Sequence, residues 1–233
     1  TGYVILRDFC DANDLNKKKA HFLTFCESLG EPITHNHNSG SIIWDIKSNT
    51  SQREYKTFSD HNDEALLHTD SAFSAEPEDV FALFVSRSAR CGGGISTLMH
   101  YDKVLKLIHS HPDGADIERI LRSSVFPFAV PDVFKKGVDN TFEYNIGPIL
   151  YDHFIRYRSD SIRKCVEYKP SLLNHEQLRA IDLLDSFIHD PIHAEQIFLN
   201  DNDLIVIDNK RVLHGRTAFD DSERHVLRIR LKT

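Results

Sequence analysis

The chain has 233 residues, 40% of them hydrophobic, with 28 basic against 35 acidic side chains and a formal net charge of −7. That length supplies a substantial core, and all-β folds of this size are commonly single domains. The acidic balance argues against a nucleic-acid partner, which needs a basic face to displace phosphate counterions, and against a polybasic membrane contact.

"TGYVILRDF" reads as a strand, and "DANDLNKKKAHFLTFCESLG" as a helix. In that helix Leu15, Phe22, Phe25 and Leu29 share a face, Asp11 and Asn13 are candidate caps, and Gly30 and Pro32 stop it. "SGSIIWDIKS", "EALLHTDSAF" and "VFALFVSRSA" read as strands, the last two parted by the breaker "SAEPED". "CGGGIST" is a tight turn, and "YDKVLKLIHSH" and "DIERILRSS" have helical spacing around "HPDG". "TFEYNIGPIL" and "DHFIRYR" read as strand and turn. "NHEQLRAIDLLDSFIHD" is the clearest helix, with Leu178, Ile181, Leu184 and Ile188 on one stripe and a capping box from Asn174 and Gln177. "EQIFL", "DLIVID" and "RHVLRIRLK" close the chain as strands.

Strands dominate both ends, and no regular crossover helices separate them. The expectation is a mainly β fold with flanking helices, a sandwich or jelly roll, rather than a doubly wound parallel sheet. Residues 1–233 read as a single domain with helical insertions at about 102–122 and 174–189. No apolar run approaches a membrane span, and the N-terminus lacks the pattern of a secretory leader. The absence of an initiator Met points to residues missing ahead of Thr1. Cys10, Cys26, Cys91 and Cys165 are scattered with no Cys-x-x-Cys pair, as expected of reduced thiols in a cytoplasmic protein.

Five His-x-acid pairs occur among fourteen histidines: His61-Asp63, His68-Asp70, His100-Asp102, His111-Asp113 and His193-Glu195. His111 sits in a Pro-Gly turn, His100 borders a helix start where Asp102 would cap, His193 follows "DPI" in a loop, and His61 lies in a polar run. Only His68 follows an apolar strand. On an extended backbone His68 and Asp70 would face one side and could reach one ion; a packed pair is the alternative. "DLIVIDNKRVLHGRTAF" turns at Asp208-Asn209 and delivers His214 beside a glycine, where an edge-strand histidine is the competing reading. "ERHVLRIRLK" puts Arg224, Arg228 and Arg230 on one face of an apolar strand, harmless if exposed but in need of anions if buried. Two histidines and one carboxylate form the facial triad of non-haem Fe(II) oxygenases, with three positions open. An arginine soon after the second histidine could grip a co-substrate carboxylate.

"LHTDSAF", "CGGGISTL", "DNKRVLHGRTAF" and "ERHVLRIRL" resemble motifs of the Fe(II)/2-oxoglutarate-dependent oxygenases, in the branch of taurine dioxygenase, γ-butyrobetaine hydroxylase and clavaminate synthase. Order and spacing hold from about residue 64 to the C-terminus. The resemblance implies a double-stranded β-helix with the site at a barrel mouth. It implies Fe(II) on His68, Asp70 and His214, with 2-oxoglutarate and O2 as co-substrates. It also implies Arg224 on the distal carboxylate of 2-oxoglutarate, aided by Thr97, with Arg228 as second choice for that carboxylate or for an acidic group of the substrate. The carboxylate of Asp70 fills the position that related halogenases leave to chloride, so hydroxylation is expected and halogenation is not.

Candidates for contact with a small-molecule substrate are Trp44, Phe73, Tyr144, Arg156, Arg158 and Arg216, with Arg156 and Arg158 expected on a shared face. A free or modified amino acid, hydroxylated at an aliphatic carbon in a specialised biosynthetic pathway, is the expected substrate. A sulfonate, betaine or other small carboxylate, or a desaturation, is the alternative within the family. Outside it stand a zinc or manganese enzyme without a keto acid and a non-catalytic binding barrel. The polar stretch 46–63 is a candidate lid.

Overall fold

A computed structural model describes residues 2–34, 40–47, 61–135 and 141–233. The chain opens with β1 (Tyr3–Leu6), then α1 (Leu15–Leu29), whose cap is Asp14, accepting from the Lys17 amide, rather than Asp11 or Asn13. The face that α1 buries carries Phe22 and Cys26, while Leu29 is exposed. Gly30 ends it where a side chain would run into the Lys232 carbonyl. Pro32, expected as part of the helix stop, lies within β2 (Glu31–Ile33). It is tolerated there because β2 lies at the end of its sheet.

β3 (Trp44–Lys47), β4 (Ala65–His68) and β5 (Val80–Arg87) follow, then β6 (Ser96–His100), which runs directly into α2 (Tyr101–Ser110). His100 caps that helix, its Nδ1 accepting from the Asp102 amide at 3.2 Å, so the expected cap role of Asp102 passes to the histidine. α3 (Gly114–Ser123) leads into the hairpin of β7 (Phe126–Ala129) and β8 (Tyr144–Gly147). "DHFIRYR" makes a single bridge, Ile155 to Leu150. It precedes α4 (Ser159–Tyr168), a helix the sequence pattern did not announce. α5 (His175–Ile188) carries the expected capping box and buries Ile181, Leu184 and Ile188. β9 (Glu195–Ile197), β10 (Leu204–Asp208), β11 (Val212–Arg216) and β12 (His225–Lys232) complete the chain.

All strand pairs are antiparallel and form two main sheets. The larger runs β1-β10-β5-β12-β2, with β3 also on β12; the smaller runs β4-β11-β6-β9. The sheets face each other across a core of Phe81, Val85, Ile205, Ile207 and Val226 from one and Leu98, Ile197 and Val212 from the other. They do not close into a barrel, so the expected barrel mouth is the open end of a sandwich. α1 covers the outer face of the larger sheet. The outer face of the smaller one, through Leu67, Met99 and Leu213, packs on α2, α3, α4 and α5. No helix among the described residues is long and apolar enough to cross a membrane.

The core around α5 makes a direct test. Leu184→Ala removes a fully buried side chain, and we expect it to cost about 2–5 kcal/mol. Asn174→Ala, which removes the cap of the same helix, should cost about 1 kcal/mol. Denaturant titration of the two variants reads both losses.

Candidate metal centre

β4 and β11 pair so that His68 stands directly opposite His214. The two rings lie 4.4 Å apart, centroid to centroid, on the face turned toward the larger sheet, where Phe81 packs on His214. The pairing carries an irregularity between His214 and Arg216, so that Arg216 pairs with Ala65, three residues before His68. A bulge of this kind lets Ala65 and His68 both face the cavity although they are an odd number of residues apart.

Asp70 does not extend the strand. It sits in a turn, followed by Ser71 at a φ of +51°. The buried Asn209 holds it there: Asn209 Oδ1 accepts from the Asp70 amide at 2.8 Å, while Nδ2 donates to the carbonyls of Asp70 and Glu78, each at 3.1 Å. Thr69 is tied to Tyr157 through backbone and hydroxyl. The expected extended His-x-Asp is thus a strand end followed by a clamped turn.

Asp70 Oδ1 lies 3.5 Å from His68 Nε2 and 3.7 Å from His214 Nε2. One ligand atom from each of the three residues falls within 4.8 Å of the others, and this is the metal-competent group found among the described residues. The His68 Nδ1–H donates to the Leu66 carbonyl at 2.7 Å, which leaves the Nε2 lone pair for a ligand. Burial, then the nearby His68, pushes the His214 pKa down to about 4, keeping that ring neutral at pH 7. Burial alone would raise the Asp70 pKa. The Arg228 charge and the hydrogen bonds with His214 and His68 outweigh it and hold the carboxyl well below its usual range. Two imidazoles and an ionised carboxylate, His68 and Asp70 buried and His214 half-buried, are a donor set that fits a ferrous ion and leaves three adjacent positions free.

A cavity of about 550 Å³ opens beside the three ligands. Arg224, Arg228 and Arg230 all line it, so the three arginines do share an inward face. Arg228 donates to Asp70 Oδ2 at 2.8 Å and stacks on Trp44. Arg230 binds Ser71, Glu78 and the Thr34 carbonyl. Arg224 has no acidic partner among the described residues; it rests on the Phe219 ring, and burial, then the charge of Arg216, lowers its pKa to about 10. The second-choice arginine is therefore engaged and the first is open to an anion. Gly94, at a φ of +72°, leaves the space in which the Arg224 side chain lies; a Cβ there would be 3.1 Å from Nε.

Thr97 does not join Arg224. It pairs with Gly215 on the outer face of the smaller sheet, its hydroxyl packed over that glycine, whereas Ser96, opposite Arg216, lines the cavity. The correction is one residue, and strand alternation turns one residue into the opposite face. Trp44, Phe73, Arg158 and Arg216 are on the cavity wall. Tyr144 is exposed on β8 and does not line the cavity. Arg156 is buried elsewhere, donating to the Ala72 carbonyl and stacking on Phe128, so it shares no face with Arg158. Arg158 lies at the cavity wall against Asp160. Of the candidate lid, residues 48–60 lie outside the described residues. Sequence reasoning missed Asn209 and Ser96. Asn209 lies in "DLIVIDNKRVLHGRTAF", where local pattern shows a turn and nothing more.

A family model described as taurine catabolism dioxygenase TauD, TfdA family matches residues 1–230. No curated protein sequence matches the chain. Among solved structures, an asparagine oxygenase in complex with Fe(II), 2S,3S-3-hydroxyasparagine and succinate is similar over 99% of this chain and 74% of its own, at 18% identity and a TM-score of 0.75. The non-haem iron oxygenase OrfP in complex with Fe and α-ketoglutaric acid is similar over 100% of this chain and 75% of its own, at 19% identity and a TM-score of 0.72. PvcB of Pseudomonas aeruginosa is similar over 100% and 76%, at 16% identity and a TM-score of 0.66. At these identities the structural likeness speaks to the fold.

The Asn209 clamp predicts a measurable defect. Asn209→Ala frees the Asp70 turn while leaving all three ligands in the chain, and should weaken Fe(II) or Co(II) binding by about 10–100-fold. Metal titration of the folded variant reads the change.

Proposed function

The chain belongs to the TauD, TfdA family of dioxygenases, and from that premise we propose that it hydroxylates an aliphatic carbon of a free or modified amino acid, using Fe(II), 2-oxoglutarate and O2. The observation that carries the reading is the convergence of His68, Asp70 and His214 beside a cavity whose wall also presents Arg224, which has no acidic partner among the described residues.

In this reading His68, Asp70 and His214 hold the iron, and Arg224 holds the distal carboxylate of 2-oxoglutarate, with the Ser96 hydroxyl on the same wall. Bound there, the iron and its co-substrates supply the oxidising power that places a hydroxyl on the substrate carbon, with release of succinate and CO2. The protein's part is orientation and exclusion of water. Arg228 pins the outer oxygen of Asp70 and so leaves the inner one turned toward the histidines. Trp44 and Phe73, the latter packed against the Phe134 ring, supply apolar wall. Arg158, at the same wall, offers a cation for a substrate carboxylate. The presence of the Asp70 carboxylate favours hydroxylation over halogenation.

The choice of an amino acid rests on the family and on the solved relatives in fold, which hold hydroxyasparagine or hydroxyarginine. A cavity rich in arginine also suits a zwitterion or small anion. We treat residues 1–233 as one oxygenase domain. The four free cysteines support a cytoplasmic location.

Anaerobic addition of Fe(II) and 2-oxoglutarate should produce a weak visible charge-transfer band that is lost in His68→Ala or His214→Ala; a protein that stays colourless at saturating co-substrate is not this kind of oxygenase. The substrate is tested by a panel of amino acids, sulfonates and betaines scored by substrate-dependent succinate release. Amino acids should stimulate release, and stimulation by sulfonates or betaines alone would overturn the choice.

A further inference from the structure

Arg216 stands two residues beyond His214 on β11, its side chain on the cavity face. Its Nη2 donates to the carbonyls of His61 and Asp63, at 3.0 and 2.5 Å. Its Nε is buried without a partner, and no hydrogen bond engages Nη1 among the described residues. The guanidinium rests on the Phe219 ring at 4.6 Å, and the same ring carries Arg224 at 4.8 Å. Two guanidinium groups thus sit on one aromatic side chain, both at the cavity wall, with Ser96 opposite Arg216 in the strand pairing. No carboxylate is hydrogen-bonded to either among the described residues.

That arrangement is costly as it stands. Arg216 is buried and Arg224 half-buried, and both guanidinium groups are held against the same ring with no hydrogen-bonded carboxylate among the described residues. Buried like charges persist where an anion compensates them. One guanidinium suffices for a bidentate grip on a carboxylate, so a second in reach of the same recess points to an anion shared between them.

Resting on the reading of this site as a 2-oxoglutarate site, we propose that Arg216 is a second cation for the distal carboxylate of the co-substrate, acting with Arg224 and not with the primary substrate. Nη2 keeps its hold on residues 61–63 while Nη1 faces the carboxylate. The co-substrate is thereby joined through one side chain to the segment that leads into β4 and His68. Phe219 spaces the two cations, and its backbone amide donates to the Asn62 carbonyl at 3.0 Å, tying the same segment a second time.

The test compares two keto acids on the Fe(II)-loaded protein without oxygen: 2-oxoglutarate, and 2-oxovalerate, which has the same chain length and no distal carboxylate. Visible titration or calorimetry gives the dissociation constants for the wild-type protein, Arg216→Lys and Arg216→Gln. Loss of a charge-assisted hydrogen bond corresponds to about 10–100-fold. Arg216→Gln should weaken 2-oxoglutarate by that factor and leave 2-oxovalerate within about twofold, with Arg216→Lys in between. Equal weakening of both keto acids would mean that Arg216 only supports residues 61–63, and the proposal fails. Unchanged 2-oxoglutarate binding with a raised KM for the substrate would assign Arg216 to the substrate, and the proposal fails again. If the wild-type protein binds Fe(II) but neither keto acid, it is the co-substrate reading itself that falls. Arg216→Lys keeps the charge and guards against a glutamine variant that does not fold.

Discussion

The direct cross-strand pairing of His68 with His214 is the constraint on which the site depends. Side chains alternate along a strand, so a slip of one residue would send one imidazole to the outer face among Leu67, Met99 and Leu213. The register is held from both sides of the pair. On one side β11 continues its ladder with β6 through five consecutive partners; on the other the Gly215 backbone sits too close to Ala65 and Thr97 for any side chain. Hydrophobic alternation in β11 does the rest, since Val212 must enter the inter-sheet core and Leu213 the helical layer. The two histidines of the candidate metal centre thus come from a framework that folds for reasons of packing, at the end where the sheets part.

Asp70, the third member of the candidate centre, is fixed differently, by a polar clamp. Asp70 lies in a turn, and a turn has no ladder to hold it. Asn209, at the corner between β10 and β11, supplies the missing hydrogen bonds, so the strand that delivers His214 also positions the carboxylate. Arg228 then fixes which oxygen of Asp70 turns toward the histidines. Leaving any member of such a buried network unpaired costs more than the bond itself contributes. That asymmetry keeps a short, irregular segment in one arrangement.

Much of this was legible in the sequence, and the parts that were not share a cause. His68, Asp70, His214 and the arginine row on β12 were found because each depends on local pattern: a strand, a turn beside a glycine, an alternation of charge and apolar residues. The helix α5 was found with its cap for the same reason. Thr97 was named and its neighbour Ser96 overlooked because the glycine-rich turn leaves the parity of the following strand open until its pairing with β11 is known. Arg156 was grouped with Arg158 on the assumption of an extended segment, whereas the chain there makes only one bridge before α4 begins. Asn209 has no periodic signature at all, since its side-chain partners are 139 and 131 residues away. What a sequence shows of a site is the part encoded by neighbours; what it conceals is encoded by contacts across the fold.

Charge gives the cavity its character. The protein is acidic as a whole, yet five arginines, at 158, 216, 224, 228 and 230, line one cavity. Three of them have a carboxylate in contact: Arg158 with Asp160, Arg228 with Asp70 and Arg230 with Glu78. Among the described residues Arg216 and Arg224 have no hydrogen-bonded carboxylate, the first buried and the second half-buried. Desolvated cations weaken the folded state in proportion to how poorly they are paired, so an anion that enters this recess contributes to folding as well as to chemistry. An acidic exterior lowers the chance that the recess attracts polyanions at large, while the recess itself concentrates small anions. In the reading proposed above, the same two charges, one buried and one half-buried, that make the ligand-free protein less stable than it could be give it a reason to bind a dicarboxylate, and the cost of holding them together is returned when the ligand arrives.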